Sequence, residues 1–315
     1  MIARHATALL LVTVMAAGCV AAPDTPDTSS DATLTVIAML DPISDLVQQI
    51  GGARVEVRSL VPSGSDAHTY APRPRDALRL SQADMYVDVG LGLNDAALNL
   101  ANANMSDESR IVLIGEALPR AQLIHDHDDG RGNFGPNPHI WTSVANVQAA
   151  VPVIRDALIA VDPAGIDLYS ANSDMVLASL DDLDQTIRGA VATIPQNQRA
   201  LVTFHDAWTY FARDYDLTYA VAVQGRNYAD PSALAVRNLI DQIDMLGVVA
   251  VFGSAEFPSD VLAVIAEETG ATYITGLADD MFPAELSDEP SFQALMRYNA
   301  RVIIGGLGGD TALLD

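Results

Sequence analysis

Residues 166–194 read IDLYSANSDMVLASLDDLDQTIRGAVATI. Within them Val176, Leu180, Leu183, Ile187, Val191 and Ile194 recur at spacings of three and four, so one apolar face persists over many helical turns. A helix of about 28 residues is about 42 Å long at 1.5 Å per residue, enough to run the length of a molecule and join two lobes. The segment before it, from Ser143 to about Ala160, is patterned as a helix as well.

On the N-terminal side of this rod the pattern changes. Residues 34–40 (LTVIAML) have the composition of a buried strand, and 43–50 that of a helix ended by Gly51 and Gly52. Residues 55–60 alternate as a strand, 62–65 (PSGS) form a turn, 74–81 a helix, and 85–89 and 111–113 further strands. On the C-terminal side the alternation resumes. Strands are expected at 200–203, 218–223, 248–252 and 272–275. Helices are expected at 207–214, 231–246 with Pro231 at its start, 259–269 and 291–301. Alternating strands and helices imply parallel sheets. The expected class is α/β, with two lobes at 33–142 and 195–315, each a mostly parallel sheet flanked by helices. The helical stretch 143–194 joins them as a rigid backbone, and no solenoid period is present.

The N-terminus differs from the rest. Arg4 and His5 precede an apolar run at 8–17, closed by Gly18 and Cys19. This is the plan of a secretory signal, and the run is too short to span a membrane. Cys19 is the single cysteine, so no internal disulfide forms. Small residues before a lone Cys resemble the bacterial lipoprotein cleavage motif, with Ala16 where that motif prefers Leu. In this reading residues 1–19 are the signal and Cys19 is the lipidated mature N-terminus. Residues 20–32, rich in Ala, Pro, Asp, Thr and Ser, are then a flexible tether. The formal charge of −24 excludes nucleic acid as a partner, which demands a basic footprint. An adapted secreted surface accounts for it.

The six histidines are His5, His68, His125, His127, His139 and His205. His68, His139 and His205 occupy three separate junctions after strands or loops, where open α/β sheets bind ligands. Neutral imidazole is the commonest transition-metal ligand, and zinc takes about four N, S or O donors. A carboxylate should complete the set from the end of the last strand, where Asp279 and Asp280 stand. The segment 124–130 (IHDHDDG) places His125 and His127 among acids, either as an auxiliary metal collector or as a solvated loop. Trp141, Trp208 and Tyr70 adjoin the three histidines and read as packing that excludes water. A zinc hydrolase is the rival from another class. It needs an open coordination position and a general base, and no HExxH is present. A cleft for haem or an iron chelate would not need three separate histidines, and no distinct adhesive module is present.

Four stretches carry a resemblance: PSGSDAHTYAPRPRD at 62–76, NPHIWTS at 137–143, TFHDAWTYFARDYDL at 203–217 and LADDM at 277–281. In this order they resemble the zinc- and manganese-binding lipoproteins of metal ABC transporters, over nearly the whole mature chain. The resemblance implies metal ligands at His68, His139 and His205, with Asp279 matching the fourth by its distance from the last strand and Asp280 one residue away. It also implies Zn2+, or alternatively Mn2+, as the transported ion, an ABC permease and its ATPase as partners, and a monomer held at the membrane surface by a lipid anchor on Cys19. Some relatives carry an adhesin label. Members specific for manganese usually have Glu where this chain has His205, and imidazole suits zinc while carboxylate suits manganese. Relatives often have Glu shortly after the strand at 248–252; here the run is Gly253-Ser254-Ala255-Glu256. The stiff connecting helix implies small rigid-body changes on loading.

Overall fold

The computed structural model describes residues 33–125, 127–128, 134–223, 231–255 and 259–315. The expected signal, Cys19 and the tether lie outside the described residues, as does Glu256.

The first half starts with β1 (Leu34–Ala38), α1 (Asp41–Gly51), β2 (Val55–Ser59), α2 (Pro74–Gln82), β3 (Met85–Asp88), α3 (Asp95–Asn104) and β4 (Ile111–Leu113). The strands are parallel and ordered β2-β1-β3-β4. A short antiparallel pair follows, β5 (His127–Asp128) with β6 (Phe134–Gly135). Then come α4 (Val144–Val161) and α5 (Ile166–Val191), 18 and 26 residues long.

The second half contains β7 (Ala200–Thr203), α6 (Thr209–Asp214), β8 (Thr218–Ala222), α7 (Ala233–Leu246), β9 (Ala250–Ser254), α8 (Asp260–Thr269), β10 (Thr272–Leu277) and α9 (Phe292–Gly306). Its sheet is also parallel, ordered β8-β7-β9-β10. Counted within each lobe, both sheets have strand order 2-1-3-4. In each, the chain leaves the first strand for one neighbour and then crosses to the other side. The crevice beyond the strand C-termini at that crossing is the natural ligand position in open α/β sheets.

The six apolar residues predicted to line the rod, Val176 to Ile194, are all buried. α5 packs on α1 and α4 and, further on, on α9 and the closing turn Ala312–Leu314. It therefore touches both lobes. The helix stops at Val191, before Ile194, which is buried in the turn that leads to β7. At the other end Arg54 clasps Asp162 through Nε (2.7 Å) and Nη2 (3.1 Å), and Tyr169 donates to the same carboxylate at 2.7 Å. These bonds fix the turn between α4 and α5. The main core runs from the β1–β3 sheet through α1, α4 and α5 to α9. A smaller one, with Val202, Val251, Ile243, Leu262 and Ile265, lies between the second sheet and α7 and α8.

Some departures from expectation have identifiable reasons. α7 starts at Ala233, because Ser232 caps it by accepting the Ala235 N–H; Pro231 lies before the cap and not at the first helical position. β10 continues to Leu277 through an irregularity at Gly276, whose φ of 110° suits glycine. α3 was not expected: its sequence, DAALNLANAN, buries only Ala97 and Ala101 and so carries no apolar stripe.

Candidate metal centre

His68 sits on the loop after β2. Asp66 shapes it as an Asx turn, Oδ1 accepting the His68 N–H (2.8 Å) and Oδ2 the Thr69 hydroxyl (2.8 Å). From the same lobe Asn94 Nδ2 donates to the carbonyls of Ala67 (2.6 Å) and Tyr70 (2.9 Å). The Tyr70 hydroxyl donates to buried Asp76 at 2.7 Å. His68 is half-buried; His139 and His205 are buried.

His139 follows the β5–β6 pair, one residue ahead of a single helical turn, Ile140–Thr142. Asn137 Oδ1 accepts from the His139 backbone N–H (3.0 Å) and lies 2.7 Å from its Nδ1. The Asn137 amide orientation is fixed by its other end, since Nδ2 donates to the carbonyl of Asp206 (3.0 Å) and to Thr209 Oγ1 (3.3 Å). Oδ1 is therefore the acceptor, Nδ1 of His139 carries the proton, and Nε2 presents its lone pair. Such an outer partner is what orients a ligating imidazole.

His205 lies two residues past β7. Thr203 Oγ1 donates to its carbonyl at 2.7 Å, and the Tyr219 hydroxyl lies 2.8 Å from the same Oγ1. Burial, then the nearby Asp206 and Asp279 carboxylates, push the Tyr219 hydroxyl well above its ordinary pKa, which keeps it a donor.

The three imidazoles meet. Nε2 of His139 is 2.9 Å from Nε2 of His68 and 2.8 Å from Nε2 of His205. One ring nitrogen from each of the three lies within 4.8 Å of the others. Three ring nitrogens this close, with a lone pair on at least one, could together hold a metal ion; in a tetrahedral zinc site N–Zn bonds of about 2.0–2.1 Å set the nitrogens roughly 3.3 Å apart. Neither Asp279 nor Asp280 belongs to that three-membered group, but both are buried in the tail that follows β10. The Asp279 carbonyl accepts from Trp141 Nε1 at 2.7 Å. Asp280 Oδ2 accepts the Ala67 N–H at 3.2 Å. Asn299 on α9 holds Ala278 by both its N–H (2.9 Å) and its carbonyl (2.8 Å).

Trp141 and Trp208 are almost wholly buried and Tyr70 nearly so, with the Trp141 ring 5.2 Å from that of His139. Of the acidic loop, His125 is exposed and His127 pairs through its backbone with Gly135; Asp126 and residues 129–133 lie outside the described residues. Sequence reading missed the role of Asn137, although it stands two residues before His139 in a quoted motif. It also missed Asn94 and Tyr219, which no spacing rule marks.

Residues 36–306 match the family model described as zinc-uptake complex component A, periplasmic. The chain belongs to this family. Among relatives of the zinc-uptake component family, the manganese-binding lipoprotein MntA of Halalkalibacterium halodurans is 27% identical over 300 residues, covering 95% of this chain and 96% of the relative. The iron-binding protein YfeA of Yersinia pestis is 28% identical over 276 residues, covering 87% and 86%. A crystal structure of ZnuA superposes with a TM-score of 0.74 at 29% identity, covering 87% of this chain and 98% of that one. The two parallel four-stranded sheets and the long helix are thus those of the zinc-uptake component fold.

Proposed function

We propose that this chain captures a divalent transition-metal ion outside the cytoplasmic membrane and delivers it to the permease of an ABC uptake system, with zinc preferred over manganese. The observation that carries the reading is the convergence of the His68, His139 and His205 imidazoles within 4.8 Å. Asp279 is the fourth ligand in this reading, by its distance from the last strand, and Asp280, whose Oδ2 accepts the Ala67 N–H, is the alternative one residue on. Three imidazoles and one carboxylate form a set that fits zinc better than manganese, and zinc also stands above manganese in intrinsic affinity.

The ion is cargo and undergoes no chemistry. A full set of four protein ligands leaves no position for a reactive water, so the reading is a binding protein and not a hydrolase. Relatives named as lipoproteins support lipidation of Cys19 and anchoring at the membrane surface, and a relative named a metal ABC transporter substrate-binding lipoprotein supports a position beside the permease and its ATPase. The protein acts as a monomer in this scheme. Loading requires neutral imidazoles, so acid weakens it by proton competition.

The test is elemental analysis of protein purified without added metal, followed by competition between zinc and manganese against a chromophoric chelator. One zinc per chain, retained in excess manganese, is the expected result. If the variant lacking all three imidazoles takes up zinc as well as the unaltered protein, the reading fails. If manganese displaces zinc at equal concentration, the ion preference is wrong while the transport role stands.

A further inference from the structure

The peptide bond just ahead of His68 is gripped from both lobes. On one side Asn94 Nδ2 holds the Ala67 carbonyl at 2.6 Å. On the other, Asp280 Oδ2 accepts the Ala67 N–H at 3.2 Å, across 213 residues of sequence. Ala67 is fully buried, and Asn94 and Asp280 are 6% and 8% exposed, so water competes little for either bond. Next to this clamp the Ser63 hydroxyl reaches Met281 Sδ at 3.7 Å, so the same tail meets the loop at a second point.

The other site loops are tied differently. Asn137 binds the Asp206 carbonyl, Thr142 Oγ1 donates to the Ala207 carbonyl at 2.8 Å, and the Tyr210 hydroxyl donates to the Asn137 carbonyl at 2.7 Å. These bonds lock the loops of His139 and His205 to each other directly. His68 is held to the second lobe through the Ala67–Asp280 bond and the Met281 contact.

We propose that Asp280 is a positioning residue and not a metal ligand: it latches the His68 loop to the tail after β10 and thereby sets how long a bound ion is retained. This rests on the site proposed above. With the latch made, His68 stands in register with His139 and His205. When it opens, the loop is free to take His68 away while the other ligands stay in place, which gives the ion an exit by loss of one ligand.

The experiment uses the whole mature protein with Asp280→Ala and Asp280→Asn, zinc alone as probe, and two readouts. Stopped-flow transfer of zinc to excess chelator gives the off-rate, and hydrogen exchange of the metal-free protein gives the protection of the Ala67 amide. Asp280→Ala should bind one zinc per chain yet release it about tenfold faster or more, the scale of a lost bond to a charged acceptor, and should lose Ala67 protection. Asp280→Asn keeps an acceptor oxygen and should restore both. The latch is refuted by an off-rate within twofold of the unaltered protein in Asp280→Ala. It is refuted equally if both variants lose the site outright while Asp279→Ala retains it, for Asp280 is then the ligand. An unaltered protein that binds no zinc would instead refute the site itself.

Discussion

Two hydrogen bonds to one amide oxygen decide what His139 can do. Asn137 Oδ1 takes both the backbone N–H and the Nδ1 proton of His139, and so turns the Nε2 lone pair towards His68 and His205. Asn137→Ala removes this partner and leaves the ligand set untouched. Zinc affinity should fall by about 10- to 100-fold, the usual cost of losing an outer-shell partner, read by chelator competition at fixed pH. An unchanged affinity would mean that the packing of Trp141 alone orients the ring. The three histidines were legible as candidate ligands because imidazole is rare and each stood inside a quoted motif. The residues that aim them were not, since Asn137, Asn94 and Tyr219 are tied to partners 16 to 72 residues distant in the chain, and a spacing rule sees no such pairing. The choice between Asp279 and Asp280 had the same cause: adjacent identical residues differ only in where the tail points each carboxylate.

At the scale of elements, periodicity carried most of the fold. The α5 stripe was readable because every member faces one core, while α3 escaped because helix formation there rests on the Asn94 cap and on alanine, not on an apolar face. The turn joining α4 and α5 was also beyond reading, since its fixing partner, Arg54, lies 108 residues away from Asp162. The Arg54 guanidinium, through its hydrogen bonds, holds the Asp162 carboxyl below the usual carboxylate range. Burial and the bond to Asp162 push the Tyr169 hydroxyl up to about 12. A carboxylate with a depressed folded pKa adds stability above its unfolded pKa of about 3.9, and that stability disappears as pH falls through the lower folded value. Asp162→Asn should therefore lower unfolding stability by about 1–2 kcal/mol at pH 7. Denaturant titrations at descending pH should show the gap between the two proteins shrinking below about pH 4 and closing once the folded-state carboxyl is protonated. A gap independent of pH would assign the loss to packing and not to charge.

Across the whole molecule the two lobes are joined by more than a covalent link. Asp45 on α1 accepts the Phe292 N–H at the start of α9 (2.7 Å), Gln49 and Gln293 bond each other (2.9 and 3.0 Å), and Gln293 reaches Ser179 on α5 (2.8 Å). With α5 itself packed on α1 and α9, the back of the molecule is a three-helix brace. Wide closure needs a few residues free to absorb a large backbone rotation, and a braced 26-residue helix offers none at its middle. Loading is thereby confined to the loops. A chain of this size has a radius of gyration of about 19 Å, and zinc should change it by less than about 1 Å in small-angle scattering. Hydrogen exchange should slow in the loop at 62–73 and the tail at 278–281, and little at Gln49, Ser179 or Gln293. The melting temperature should still rise with zinc, because binding to the folded state alone stabilises it by about 2.7 kcal/mol at a free ion concentration 100 times Kd. Contraction by several ångströms, or protection spreading into the α1–α9 contact, would mean that the brace yields and that the lobes close as rigid jaws about it.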